Sequence, residues 1–134
     1  MLESIDISQF INQSPQKVWE ALTKPELVQQ WWAKGGIQPK IGHQFTLDMG
    51  NFGIQHCLVK AVDKEILVEY DFAIGVLDTT LRWQLIPQEN GTLLQLNHSG
   101  FNIGSSFGQQ AFIGMGKGWT QILSRVEAVI SNNK

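Results

Sequence analysis

Chemistry near neutral pH falls first to the three histidines, one cysteine and one tyrosine of this 134-residue chain. His98 follows Leu94 and Leu96 at spacings of two, so a strand carrying all three turns the imidazole toward the protein interior. There it could serve as a cavity acid or base, or hydrogen-bond a ligand. Paired with a backbone carbonyl instead, it is a satisfied core histidine. Tyr70 shares a face with Ile66, Val68 and Phe72, which sends its hydroxyl to the same interior. Glu69 and Asp71 have the opposite parity, so no carboxylate accompanies it inward. His56 alternates with Ile54 and Leu58 and points inward with them unless the strand bulges. The broken alternation of Cys57, Val59 and Val62 predicts such a bulge.

Other chemistries find little footing. The histidines are scattered, and H-x-x-x-H, E-x-x-H and C-x-x-C spacings are all missing, so neither a metal nor a cofactor is expected. Cys57 has no activating neighbour in sequence, and a lone strand cysteine reads as packing. Ser105-Ser106 lacks the G-x-S-x-G elbow of a nucleophilic serine. Gly114-Met115-Gly116-Lys117-Gly118 departs from a phosphate loop, because glycine follows the lysine and no strand precedes it.

Ten basic against twelve acidic residues leave a net charge of −2, which gives no electrostatic case for nucleic-acid or membrane-surface binding. Hydrophobic residues make up 43% of the chain, enough to offset the entropy of ordering it and to exclude a disordered segment. No apolar run approaches the roughly 20 residues of a membrane helix, and the N-terminus lacks a signal-peptide pattern. The expectation is one cytoplasmic domain over residues 1–134, monomeric or homodimeric.

Several elements must position these side chains. Residues 2–13 alternate in part and predict a strand. Ser14-Pro15 starts a short helix to Leu22, with Val18 and Leu22 on one stripe. Thr23-Lys24-Pro25-Glu26 has capping-box spacing for a second helix, ending by Lys34-Gly35-Gly36. From Ile41 to His98, alternating runs broken at Gly50-Asn51, Asp63-Lys64-Glu65, Ile74-Gly75 and Asn90-Gly91 predict an antiparallel meander. Gly100 to Gly108 reads as a loop. Beyond it Phe112, Met115, Trp119, Ile122, Leu123, Val126, Val129 and Ile130 step by three and four as one long amphipathic helix. Gly114, Gly116 and Gly118 weaken its start, so either the regular helix begins later or something approaches that backbone closely. The order of elements is α+β, with the apolar stripe of the last helix, Trp119 and Val126 included, packing on the apolar sheet face.

Residues 18–23 (VWEALT), then Pro25-Glu26-Leu27 and Trp31-Trp32, resemble the signature of the family named for the activator of the heat-shock-protein-90 ATPase. That family belongs to the START-like, birch-pollen-allergen-like superfamily (SRPBCC). Gly42 with Phe45, residues 81–85 (LRWQL), Gly91-Thr92, residues 98–101 (HSGF) and Gly118-Trp119 match as well, in order along nearly the whole chain. Lys24 departs from the acidic residue common before the proline. The resemblance implies a helix-grip fold: a curved antiparallel sheet around the long C-terminal helix, with a cavity between them. It implies no catalytic motif, because superfamily members include lipid and hormone carriers, polyketide cyclases and aromatases, and a co-chaperone domain.

The expected function is therefore binding of a small apolar or amphipathic molecule, lipid-like or polyketide-like, in that cavity. Its predicted lining is Trp31, Phe45, Tyr70, Phe72, Trp83, Leu96, His98, Phe112 and Trp119, with His98 and Tyr70 as polar anchors and Gly100 to Gly108, with Gly114, Gly116 and Gly118, as the rim. Two alternatives stand behind it. One is a cyclase- or hydrolase-type enzyme using His98 and Tyr70; the other, implied by the family name, is a co-chaperone or other protein-interaction module.

Overall fold

A computed structural model describes residues 2–132. The first strand, β1 (Leu2–Ile11), leads into helix α1 (Pro15–Thr23), whose Ser14 cap accepts from the Lys17 N–H at 3.3 Å. Helix α2 (Pro25–Trp31) follows at once. The predicted capping box between them does not form. Lys24 precedes a proline, which disfavours helical backbone at that position, so Lys24 is extended (φ −98°, ψ 119°) and becomes the flanking residue of both helices. Thr23 stays helical and donates its hydroxyl to the Trp19 carbonyl at 2.7 Å. Lys34–Gly35 is a short strand, β2, and not the tail of α2.

The meander runs through β3 (Gln44–Asp48), a 3-10 turn at Gly50–Phe52, β4 (Ile54–Asp63), β5 (Leu67–Phe72), β6 (Thr79–Gln88) and β7 (Gly91–Asn102). All pairings are antiparallel, and β1 adds beside β7, giving the order β1-β7-β6-β5-β4-β3-β2. Ile66, expected on the inner face of β5, lies before the strand in a turn and is 52% exposed.

Two irregularities in the sheet decide what faces inward. The predicted bulge in β4 sits between Val59 and Ala61. The inward residues before it are Gln55, Cys57 and Val59, so His56 points outward with Ile54, the alternative tied to a bulge. The second irregularity is at Gly100, where φ is +94°. Glu3 pairs with Phe101 but Ser4 pairs with Ser99, so Gly100 is the extra residue that only a left-handed conformation accommodates. The strand therefore continues to Asn102 where a loop was expected, and Phe101 is turned into the core.

Only three residues separate β7 from α3 (Ser106–Leu123). Ser105 caps α3 by accepting from the Gly108 N–H at 3.0 Å. The predicted single helix is instead bent. Ser124 donates its hydroxyl to the Gln121 carbonyl at 2.6 Å and Arg125 N–H bonds to Ile122 O, tightening the turn before α4 (Val126–Asn132). As a result α4 packs on α1 and α2, while α3 lies against β1 and β7. Val126 is fully buried, in one core cluster with Trp83, Leu94 and Leu96 of the sheet. Helix α3 also runs straight through Gly114, Gly116 and Gly118. A Cβ at Gly114 or Gly118 would meet nothing within 4 Å, so no close approach explains them.

Candidate ligand-binding site

The space between α3 and the sheet is filled by aromatic rings. Trp119 of α3 has its ring 5.0 Å from Trp32, at the end of α2, and 5.6 Å edge-on from Trp83 of β6. Trp83 in turn stands edge-on to Trp31 at 5.7 Å, and Trp32 lies 5.9 Å from Phe72. Such pairs contribute about 0.5–1.5 kcal/mol each beyond their buried area. The enclosed cavity expected here is occupied by this layer.

Polar groups in the layer are threaded into chains. The Trp119 indole N–H donates to His98 Nδ1 at 3.0 Å, which leaves the imidazole hydrogen on Nε2, 2.8 Å from Thr79 Oγ1. Thr79 passes its own hydroxyl hydrogen to the Phe72 carbonyl at 3.4 Å. Burial pushes the His98 pKa down to about 3, so the ring is neutral at physiological pH. With both nitrogens engaged, His98 pins α3 to β6 and offers neither for acid–base work. Trp83 donates to the Tyr70 hydroxyl at 3.0 Å, and burial drives that phenol above its ordinary pKa. Trp31 donates to the Ala21 carbonyl at 2.8 Å. Burial also pushes the Cys57 thiol up to about 12, far from thiolate chemistry.

Among the nine residues expected to line a site, Trp31, Phe72, Trp83, His98 and Trp119 form the connected layer, with Leu96 buried opposite Trp83 in register. Phe45 packs edge-on to Tyr70 at 5.1 Å, farther along the sheet. Phe112, partly exposed, rests on Phe101 at 5.5 Å near the start of α3. That set omits four residues the structure places here: Trp32, Gln55, Thr79 and Phe101. For Gln55 the signal was available, because counting back from Cys57 and Val59 by twos reaches it. Thr79 had none, since its partner lies on another strand. Among the described residues, no three His, Cys, Asp or Glu side chains gather where a metal could bind, and no helix is long and apolar enough to cross a membrane.

A cleft of about 360 Å³ opens at the end of the sheet where β7 gives way to α3. It lies between the β5–β6 turn (Val76, Leu77) and the β7–α3 junction (Gly100, Asn102, Phe107), with Leu2 of β1 at its side. This is the segment expected to form the rim.

Residues 12–131 match the family model described as Activator of Hsp90 ATPase homolog 1-like protein. The chain belongs to this family. The helix-grip architecture expected of it is present: a seven-stranded antiparallel sheet holding a long, bent C-terminal helix. Among solved structures similar to this Activator of Hsp90 ATPase homolog 1-like chain is protein MLL2253 from Mesorhizobium loti, with 26% identity, TM-score 0.86, and 98% of this chain and 99% of that one covered. The Aha1 dimer from Colwellia psychrerythraea is similar at 20% identity and TM-score 0.77, with 96% of each chain covered. DynU16, from the dynemicin biosynthetic locus, is similar at 20% identity and TM-score 0.80 over 98% of this chain and 48% of its own. The last two likenesses show the fold alone. No curated protein matches the chain.

Proposed function

We propose that this protein binds a small apolar or amphipathic molecule, which enters at the cleft beside the α3 N-terminus and packs against the aromatic layer. The cleft carries the reading. At about 360 Å³ it has room for a small guest, and Leu2, Val76, Leu77 and Phe107 give it apolar walls. The DynU16 likeness supports it, since that protein comes from a locus that builds a small molecule. About 200 Å² of buried apolar ligand surface, at roughly 25 cal/mol per Å², supplies about 5 kcal/mol before association costs, so micromolar binding is expected.

A panel of fatty alcohols, sterols, flavonoids and aromatic polyketides tests this. Bound guest should raise the Tm in a concentration-dependent way and change tryptophan fluorescence through Trp32, Trp83 and Trp119. No response across the panel would overturn the reading. A second reading, association with a protein partner or with a second copy, draws on the Aha1 dimer likeness and the family's name. Light scattering across a concentration series tests the self-association part.

A further inference from the structure

Two buried polar atoms on the inner side of the grip have no partner among the described residues: Nε1 of Trp32 and Oε1 of Gln55. They are complementary, one a donor and the other an acceptor. The other three indoles of the layer are satisfied, Trp31 by Ala21, Trp83 by Tyr70 and Trp119 by His98. Native folds leave few buried groups unpaired, so an orphan in an otherwise completed layer calls for a reason. The amide of Gln55 is oriented by its own contact. Only Nε2 can donate to the Phe52 carbonyl, 2.7 Å away, and this assigns the unpartnered position to the oxygen. Gln55 is nonetheless only 8% exposed.

Phe72 relates the two atoms. Its ring lies 5.9 Å from that of Trp32. Its cross-strand partner is Cys57, two residues from Gln55 on the same inward face of β4. Resting on the small-molecule reading above, we propose that the polar end of the guest is a neutral hydroxyl at Phe72, accepting from Trp32 Nε1–H and donating to Gln55 Oε1. A hydroxyl does both at once. An ether or ketone can only accept, and leaves the Gln55 oxygen orphaned. A carboxylate also only accepts, and brings a charge to a core whose buried polar side chains are Thr23, Gln55, Thr79, Thr92 and a neutral His98. The site therefore selects alcohols or phenols over the corresponding acids.

Calorimetric titration with para-butylphenol, para-butylanisole, butylbenzene and para-butylbenzoate separates these terms on one apolar frame. The phenol should bind the natural protein about tenfold tighter than the anisole, the anisole severalfold tighter than butylbenzene, and the benzoate weakest. Gln55→Met should erase the preference for phenol over anisole. Trp32→Phe keeps a ring in the layer and should erase the preference for anisole over butylbenzene. Melting temperatures show whether each variant is folded; Trp32→Phe loses ring packing but breaks no hydrogen bond. Equal affinity of the natural protein for phenol and anisole overturns the hydroxyl proposal while leaving small-molecule binding intact. Binding of none of the four overturns both.

Discussion

Trp119 and His98 meet at 3.0 Å, indole N–H to imidazole Nδ1, and this bond joins the long helix to β7 of the sheet. Its direction matters as much as its length. Because Nδ1 accepts, the ring must be neutral with its hydrogen on Nε2, facing Thr79. Protonating His98 would place two N–H groups head to head and bury a charge among Phe72, Phe101 and Trp119.

Stability should therefore fall in mild acid. The folded-state pKa of His98 is depressed to about 3, against 6.5 for the ordinary group. Above pH 6.5 neither state carries the proton; as pH drops from there toward 3, only the unfolded chain takes it up. The contribution of His98 is thus complete above pH 6.5 and lost as pH falls, at up to about 1.4 kcal/mol per pH unit. Urea unfolding at pH 7 and pH 5 should differ by about 2 kcal/mol from this group alone. His98→Gln should be less stable at pH 7 but lose that part of the slope. Matching slopes in the two proteins would refute the argument.

Tyr70 and Trp83 test the second polar chain. Tyr70→Phe removes the acceptor of the Trp83 indole while keeping the ring that packs on Phe45. A buried donor left unpaired costs about 1–3 kcal/mol, whereas removing both partners costs less than the sum. Unfolding of Tyr70→Phe, Trp83→Phe and the double variant should return a coupling near 1 kcal/mol. Additive losses would mean the bond contributes nothing to stability.

Much of this molecule was legible in the chain because strand alternation has a short period and survives local error. His98 and Tyr70 were placed inward by parity alone, and both are buried. Legibility failed where one residue's backbone controlled the register. A single left-handed glycine, Gly100, carried β7 past the expected loop, and the tightened turn at Ser124 divided the last helix into α3 and α4. The bulge in β4 was visible, but its exact position was not, so the face of His56 stayed open and Gln55 was missed. The polar anchoring of the site was also hidden. Whether His98 faces a guest or a threonine depends on Thr79, nineteen positions away on a neighbouring strand.

The failed capping box supplies its own experiment. Helix α2 begins without a side-chain cap, although Lys24 already has the extended backbone an N-cap requires. Lys24→Ser should give the first turn of α2 a hydroxyl acceptor and stabilise the protein by about 0.5–1 kcal/mol. The exposed ion pair lost with it, to Glu20 at 3.4 Å, contributes little. Chemical denaturation decides the matter, and a net loss of stability would show that the Lys24–Glu20 pair outweighs the cap.

Gly114, Gly116 and Gly118 of α3 pose the sharpest question for function, since the protein tolerates a cost of up to about 1 kcal/mol at each relative to alanine. Nothing nearby requires them. A Cβ at Gly114 or Gly118 meets no atom within 4 Å, and one at Gly116 would make ordinary contact with Ile5 at 3.8 Å. None of the three has a positive φ. The double variant Gly114→Ala, Gly118→Ala should thus melt several degrees higher. These glycines flank Met115 and adjoin Trp119, the part of α3 that must yield if a guest is to reach Phe72 past the ring layer. A stiffer helix should then admit para-butylphenol more slowly in stopped-flow fluorescence, with a smaller change in equilibrium affinity. A higher Tm with unchanged association would detach the glycines from ligand passage. A lower Tm would mean that the backbone of α3 is approached more closely than these contacts indicate.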